Sequence, residues 1–304
     1  IMSTIRAFMF HDVRDLSQTE YPTRYNLKSF LNKKEFIHQL NFINNKYKII
    51  SSLDVPNINL QDGNVDYAVL TFDDGLVDHF YVYQELKKLN VSGTFLVPTA
   101  PVIEQKMIHS HKIQFILASE DEKILSREIL SSFDNAYDLW EKYSHTKWVD
   151  NWWSDEMIFI TNFLRKHKDE NFDNYTYTDY LFKKYVSNDM YSFAGDFYLN
   201  LDQLEEMANN NMVIGGHGNS SDNLLLIDDV VHDIHKSHWF VQHFSDDFVF
   251  SYPNGGFNEK IKEVMKKYNC KISYTVEPKT LTDLDSLDYL EFPRYDSPQK
   301  IPLG

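Results

Sequence analysis

The chain has a single cysteine, Cys270, in 304 residues. That scarcity excludes a disulfide within the chain and argues against a zinc site built on thiolates. Basic residues are also few: 30 Lys and Arg stand against 45 Asp and Glu, leaving a net charge of −15. So acidic a chain argues against a general nucleic-acid binder and against adhesion to anionic membranes. No window reaches the roughly 18 consecutive apolar residues of a membrane span. The first residues, "IMSTIRAFMFHDVRDL", lack the charged head and long apolar run of a secretion signal. The expectation is a cytoplasmic protein, and the sequons "NVS" (90–92), "NYT" (174–176) and "NSS" (219–221) are read as chance. Repeats and low-complexity runs are absent as well, and nothing in the pattern sets an oligomeric state.

What is present is enough apolar material for a large core, 42% of residues, 15% of the chain being aromatic. "IRAFMFH" (5–11) reads as a buried strand, and "YAVLTF" (67–72) is a continuous apolar run of the kind found in buried parallel strands. Between them, "KKEFIHQLNFINNKY" (33–47) places Phe36, Leu40 and Ile43 on one helical face, and "KII" (48–50) reads as a short strand. An amphipathic helix over 81–90 and a strand over 92–98 follow. The rhythm returns late: Asn200 and Gln203 form a capping-box pattern opening a helix to about Asn210. Then come a strand over 212–216, a helix over 223–244, a strand over 248–253, a helix over 258–269 and a strand over 271–276. Alternating strands and helices predict an α/β fold with a mainly parallel sheet, closed or open. Residues 101–195 break the pattern and read as helices, including "KIQFILAS", "AYDLWEKY", "DEMIFITNFLRKH" and "YTDYLFKKYV". So long a segment cannot be a bare loop, so a helical insertion is expected there.

Chemistry-bearing residues cluster where the parallel strands end. The run to Phe72 closes on two adjacent aspartates, Asp73 and Asp74, and then Gly75. Paired carboxylates at the end of an apolar strand repel one another and lose water, which points to a bound cation or to a base held for use. Two more strands end in "GGHGNSSD" (215–222) and "SYPNGG" (251–256), and a fourth short apolar stretch leads to "EFPRYD", with Arg294 and Asp296. In α/β barrels the working groups sit at the carboxyl ends of strands.

These pieces resemble the NodB-homology polysaccharide deacetylases, carbohydrate esterase family 4. "TFDDG" (71–75) matches the family's first motif completely, "HGNSS" (217–221) its second in part, and "SYPNGGFN" (251–258) its third. The resemblance covers roughly 4–100 and 196–296 and implies a distorted (β/α) barrel of about seven mainly parallel strands, a single domain over 1–304 with a helical insertion at 101–195. It further implies a metal-dependent hydrolase that removes an N-acetyl or other N-acyl group from an amino-sugar or sugar-conjugate substrate. Asp73 would be the general base, Asp74 and His217 ligands of a divalent metal, most often zinc, and Arg294 the group that holds Asp73 ionised. The backbone N–H of Tyr252 would stabilise the oxyanion. The absent secretion signal favours a soluble precursor over cell-wall polymer.

Two family features are missing. The second metal-ligand histidine is replaced by Ser221, whose hydroxyl is a poor zinc ligand. Asp222, next in the chain, is the expected substitute, with His11, His79, His109 and His111 as other candidates and water or loss of the metal as alternatives. The late leucine-any-histidine motif, which supplies the general acid, has no match after 270, and His111 is the expected replacement. His232, His235 and His238 form a ladder on one helix that reads first as solvated surface. Trp148, Trp152 and Trp153 could stack on a sugar, although packing is the more common use of such residues. A catalytically impaired relative that binds carbohydrate or a partner protein is the competing reading. Against it stands the intact aspartate pair, whose retention without a cation would cost stability.

Overall fold

Apolar residues alternate along the strands and sort onto two sides of one parallel sheet. The computed structural model describes residues 2–21, 24, 30–63, 65–145, 153–170 and 172–296. The chain forms two compact units, one from Ile1–Asp15, Lys28–Lys106 and Ala194–Gly304, the other from Leu16–Leu27 and Met107–Phe193.

The larger unit opens with β1 (Ile5–Phe10), the short parallel pair β2 (Asp12–Val13) and β3 (Phe30–Leu31), then α1 (Lys33–Lys46), β4 (Lys48–Ile49) and β5 (Tyr67–Asp73). Helix α2 (Asp78–Lys88), β6 (Thr94–Val97) and α3 (Thr99–Ile103) follow. The smaller unit carries α4 (His109–Ser119), α5 (Glu122–Ser131), α6 (Ala136–Tyr143), α7 (Asp155–Lys166), the antiparallel pair β7 (Lys168–Asp169) and β8 (Phe172–Asp173), and α8 (Asn174–Tyr185). Helix α9 (Met190–Phe197) leads back into the larger unit, which continues with α10 (Leu201–Ala208), β9 (Val213–Gly216) and α11 (Val230–Val241). It ends with β10 (Val249–Ser251), α12 (Glu259–Lys267), β11 (Ile272–Tyr274) and β12 (Tyr295–Asp296).

The main sheet runs β11-β10-β9-β6-β5-β1-β12, with every pair parallel. β4 lies beside the first residues of β5, Tyr67 and Ala68, and β6 takes that side from Thr71 onward. The two outer edges are joined by one stretch of chain. Phe292 N–H donates to Ser273 O and Phe292 O accepts from Thr275 N–H, both at 2.9 Å, and a few residues later Tyr295 and Asp296 pair with Phe8 and Met9. This stitch gives the expected distorted (β/α) barrel.

Strand parity explains which side chains look inward. Ile5, Ala7, Val69, Leu96, Val213, Val249 and Ile272 form the inner cluster. Their sequence neighbours Phe8, Phe10, Leu70, Phe72, Phe95, Ile214 and Phe250 pack outward against the helices, on Phe36, Leu40, Val82, Leu86, Leu204 and Ile234. Phe72 is fully buried, stacked between Phe10 at 5.1 Å and Phe95 at 4.9 Å, so its truncation to alanine removes about 3–5 kcal/mol. That packing fixes the register of β5 and, through it, the direction of Asp73.

The helices start where their caps place them. Asn32 and Glu35 close a capping box on α1, as do Asn200 and Gln203 on α10. The expected helix over 223–244 is shorter: a single 3-10 turn spans Leu224–Leu226, and α11 begins only at Val230, where the Asp229 side chain accepts His232 N–H at 3.0 Å. In the smaller unit α4 packs on α7 and α8, and α5 on α6 and α7, burying Phe159, Phe163, Leu164, Leu181 and Phe182. Among the described residues no helix is long and apolar enough to cross a membrane.

Candidate active site

Thr71 and Asp73 share the inward parity of Val69, and Ser251 that of Val249, so these polar side chains meet at the carboxyl end of the barrel interior. Arg294, on the segment that stitches the sheet edges, reaches in beside them. It donates from Nη1 to Asp73 Oδ1 at 2.7 Å and from Nη2 to Asp73 Oδ2 at 2.9 Å, a two-pronged pairing in which both residues are buried. The remaining donors go to Thr71 Oγ1 (3.0 Å), Ser251 Oγ (3.2 Å) and Thr275 O (2.9 Å), so the guanidinium is held from several sides. Burial alone pushes the Asp73 carboxyl up. The positive charge of Arg294 and its hydrogen bonds, with the neighbouring His217 and His11 acting in the same direction, outweigh it, leaving the pKa below the ordinary aspartate value.

Asp74 turns away from its neighbour because the chain does. Its φ is 79°, a left-handed conformation in which side chains are strained, and Gly75 follows at 61°. A Cβ on Gly75 would lie 2.8 Å from Val97 Cγ1, so the tight turn also needs glycine for space. The Asp74 N–H donates to Leu96 O at 3.1 Å, anchoring the turn on β6. At the end of β9, His217 is buried, and its Nδ1–H donates to Ser251 O at 3.0 Å, with Ser251 Oγ also 2.9 Å away. That leaves the Nε2 lone pair available, 3.6 Å from Asp74 Oδ1. Ser221, itself at φ 61°, donates from Oγ to the same Asp74 oxygen at 3.0 Å.

This donor set is a carboxylate, an imidazole with its other nitrogen fixed, and a hydroxyl. Ligand atoms bound to one ion at about 2.1 Å lie about 3–3.5 Å apart, which the separations around Asp74 Oδ1 approach. The set fits a divalent cation. It lacks the three strong ligands usual for catalytic zinc: among the described residues, no group of three His, Cys, Asp or Glu side chains is gathered closely enough to hold a metal ion. Asp222, the substitute expected from the sequence, accepts the Ser220 hydroxyl at 2.7 Å instead. The loop between them is braced by Asp233 of α11, which accepts Asn219 N–H at 3.0 Å and whose pKa burial pushes up to about 6.

His11, one residue beyond β1, belongs to the same constellation. Burial alone would lower its pKa, but the carboxylates of Asp74, Asp73, Asp296 and Asp12 outweigh it and raise it. His79 is a packed core residue: it lies among Phe72 and Phe95, its Nε2–H donates to His11 O at 2.9 Å, and burial drops its pKa to about 4. The Tyr252 N–H, expected to face an oxyanion, donates to Tyr274 O at 3.1 Å within the sheet. The loop that follows turns left-handed at Asn254, φ 53°, and among the described residues no backbone carbonyl outside its own short turn accepts its N–H. The motif around Tyr252 was legible, but strand pairing, which decides which N–H is spent, was not.

Other candidates lie elsewhere. His111 and His109 are buried on α4 of the smaller unit, and His109 Nε2 donates to Leu164 O at 2.9 Å while its ring stacks on Tyr175. Of the histidine ladder on α11, His235 Nδ1 lies 3.2 Å from Tyr268 Oη and the His238 ring 4.8 Å from the Tyr268 ring, while His232 is exposed. Trp153 is half-buried in the smaller unit; Trp148 and Trp152 lie outside the described residues. Ser251, which links His217 to Asp73, was not singled out in the sequence, because a lone serine carries no signal of its own.

A parallel barrel with this aspartate pair at its carboxyl end has the fold of the NodB-like polysaccharide deacetylases. Solved structures similar to it include the Streptococcus pyogenes deacetylase PplD in complex with acetate, at 14% identity and a TM-score of 0.54, covering 97% of this chain and 93% of that one. IcaB from Ammonifex degensii is similar at 13% identity and a TM-score of 0.55, covering 97% of this chain and 91% of its own. A de-N-acetylase from Aggregatibacter actinomycetemcomitans matches at 12% identity and a TM-score of 0.52, over 98% and 97% of the two chains. At such identities the likeness is one of fold. No protein-family model matches the chain, and no curated protein does.

Proposed function

We propose that the protein is a carbohydrate N-deacetylase that hydrolyses the N-acetyl group of an amino-sugar derivative to acetate and a free amine. The observation that carries this reading is the buried Asp73–Arg294 pair set beside Asp74 and His217 at the mouth of the barrel. Asp73 is the general base. Arg294 keeps it ionised and fixes its plane, and each carboxylate oxygen retains a lone pair with which to accept a proton from the attacking water. Asp74 and His217 hold a divalent cation, which when bound polarises the acyl carbonyl and lowers the pKa of water. Ser251 accepts the His217 Nδ1 proton and so keeps Nε2 directed at that position.

His11 is the better-supported general acid, in place of His111. It is half-buried, the charges of both aspartates favour its protonated form, and the bond from His79 to its carbonyl fixes its backbone. It would give its proton to the departing sugar nitrogen as Asp73 takes one from water. The Asn254 N–H is the donor proposed for the developing oxyanion, since the Tyr252 N–H is already bonded. The test is acetate release from N-acetylated glucosamine oligomers by the purified chain supplied with divalent metal. The parent should release acetate, and Asp73→Asn should lose about 100-fold or more of the rate. Equal rates in the two proteins would remove Asp73 from the chemistry.

The replacement at Ser221 favours one second reading, an impaired relative that binds the sugar without cleaving it. It would show as retention of the oligomer with no acetate formed under any metal.

A further inference from the structure

Ser221 stands where the family resemblance has a histidine, and the structure gives its side chain a definite aim. Its backbone is held left-handed at φ 61°, its carbonyl accepts Asn254 Nδ2 at 3.4 Å, and its hydroxyl reaches Asp74 Oδ1 at 3.0 Å. Serine is an uncommon choice for that backbone conformation, where glycine or asparagine would be easier. The His217 Nε2 lone pair approaches the same carboxylate oxygen at 3.6 Å. Ser221 is buried, and its Oγ, Asp74 Oδ1 and His217 Nε2 therefore gather at one small, water-poor spot.

The chemistry of that trio differs from three strong zinc ligands. Zinc favours imidazole and thiolate, and a neutral hydroxyl adds little to its binding. Hard divalent ions favour carboxylate, hydroxyl and water oxygens, and serine or threonine hydroxyls are regular magnesium ligands in phosphate-binding loops. We propose that Ser221 Oγ is a cation ligand together with Asp74 and His217. The exchange of imidazole for hydroxyl then shifts this centre from zinc toward a hard divalent ion of the manganese(II) type. The inference takes the location of the cation from the deacetylase reading and adds the identity of the third ligand and the class of ion.

The test is equilibrium binding to the full chain after removal of metal. Manganese(II) is read by loss of the free-ion electron paramagnetic resonance signal, and zinc by competition with a chromophoric chelator. Ser221→Ala should weaken manganese binding by about 10-fold or more, while Ser221→Asn, which suits the left-handed backbone and still offers an oxygen, should stay within a few-fold of the parent. Ser221→His should tighten zinc by about 100-fold and manganese far less. Manganese binding that is equal in the parent and Ser221→Ala overturns the assignment. So does a zinc-to-manganese ratio that Ser221→His leaves unchanged. If Ser221→Ala does not fold, the contrast between Ser221→Asn and Ser221→His decides the same question. The two readings fail separately. A chain that binds manganese as expected yet releases no acetate overturns the deacetylase reading alone. Acetate release with an unchanged metal ratio in Ser221→His overturns the ligand assignment alone.

Discussion

The two ends of the parallel sheet both hold residues in the left-handed backbone region, for different reasons. At the amino-terminal ends of β6, β9 and β11, Asn90, Asn211 and Asn269 have φ values of 54°, 64° and 53°. Each ends a helix: Asn90 N–H returns to Lys87 O and Asn269 N–H to Lys266 O, and the next residues close back onto Leu86, Met207 and Met265. That is a local device, and asparagine is the residue other than glycine that accepts it best. At the carboxyl ends of β5, β9 and β10 the left-handed residues are Asp74, Ser221 and Asn254, at 79°, 61° and 53°. Their side chains bond across loops: Ser221 to Asp74, and Asn254 to the Ser221 carbonyl. Backbone strain at one end reverses the chain; at the other it points donor atoms at a common place.

The largest break in this contrast comes from Arg294, which serves the carboxyl end alone. Arg294→Ala leaves Asp73 buried without its counter-charge and should cost about 3–5 kcal/mol in urea unfolding. The pH dependence follows from the sign of the Asp73 shift. Its folded pKa lies below the unfolded one, so the pair stabilises the fold fully above the ordinary aspartate value of about 4 and less as pH falls through the folded pKa. Arg294→Ala should lose that part of the acid-side slope. A middle-sized effect tests the strain directly. Asp74→Gly removes the unfavourable φ and should raise stability by up to about 1 kcal/mol, while cation binding disappears. A loss of stability there would mean that the Asp74 carboxylate, and not the backbone, governs the turn. The smallest effect belongs to the helix ends: Asn90→Gly should shift stability by no more than about 0.5 kcal/mol and leave acetate release and cation binding unchanged.

Much of the barrel was legible because short strand-like stretches alternate with helical ones: 67–72 is a continuous apolar run, and 5–11, 92–98, 248–253 and 271–276, read as strands, each hold a strand. Helix ends were legible where a cap announced them, at Asn200, and misread where one was passed over, at Asp229. Helix α5 went unnamed although Asp121 caps it and Leu125 and Ile129 give it a buried face. Among site residues, Asp73, Asp74, His217 and Arg294 stood out because charge at the end of an apolar strand is itself a signal. Partnership was not legible. Whether Ser221 or Asp222 meets Asp74 depends on a single left-handed residue, and whether the Tyr252 N–H is spent depends on its pairing with Tyr274. The place of His11 required β1 to lie beside β5, a long-range pairing that no local pattern encodes.

The segment that stitches the sheet closed also carries the counter-charge of the base. Asp73 and Arg294 are 221 positions apart in the chain. During synthesis the aspartate pair is therefore made first and waits, with its carboxylates in water, until the 221 positions up to Arg294 have been translated. No partly made chain can present the aligned base. Under the proposed activity, acetate release would be a readout of completed assembly, and a ribosome-bound chain halted before the stitch would be chemically silent however well its first strands had formed.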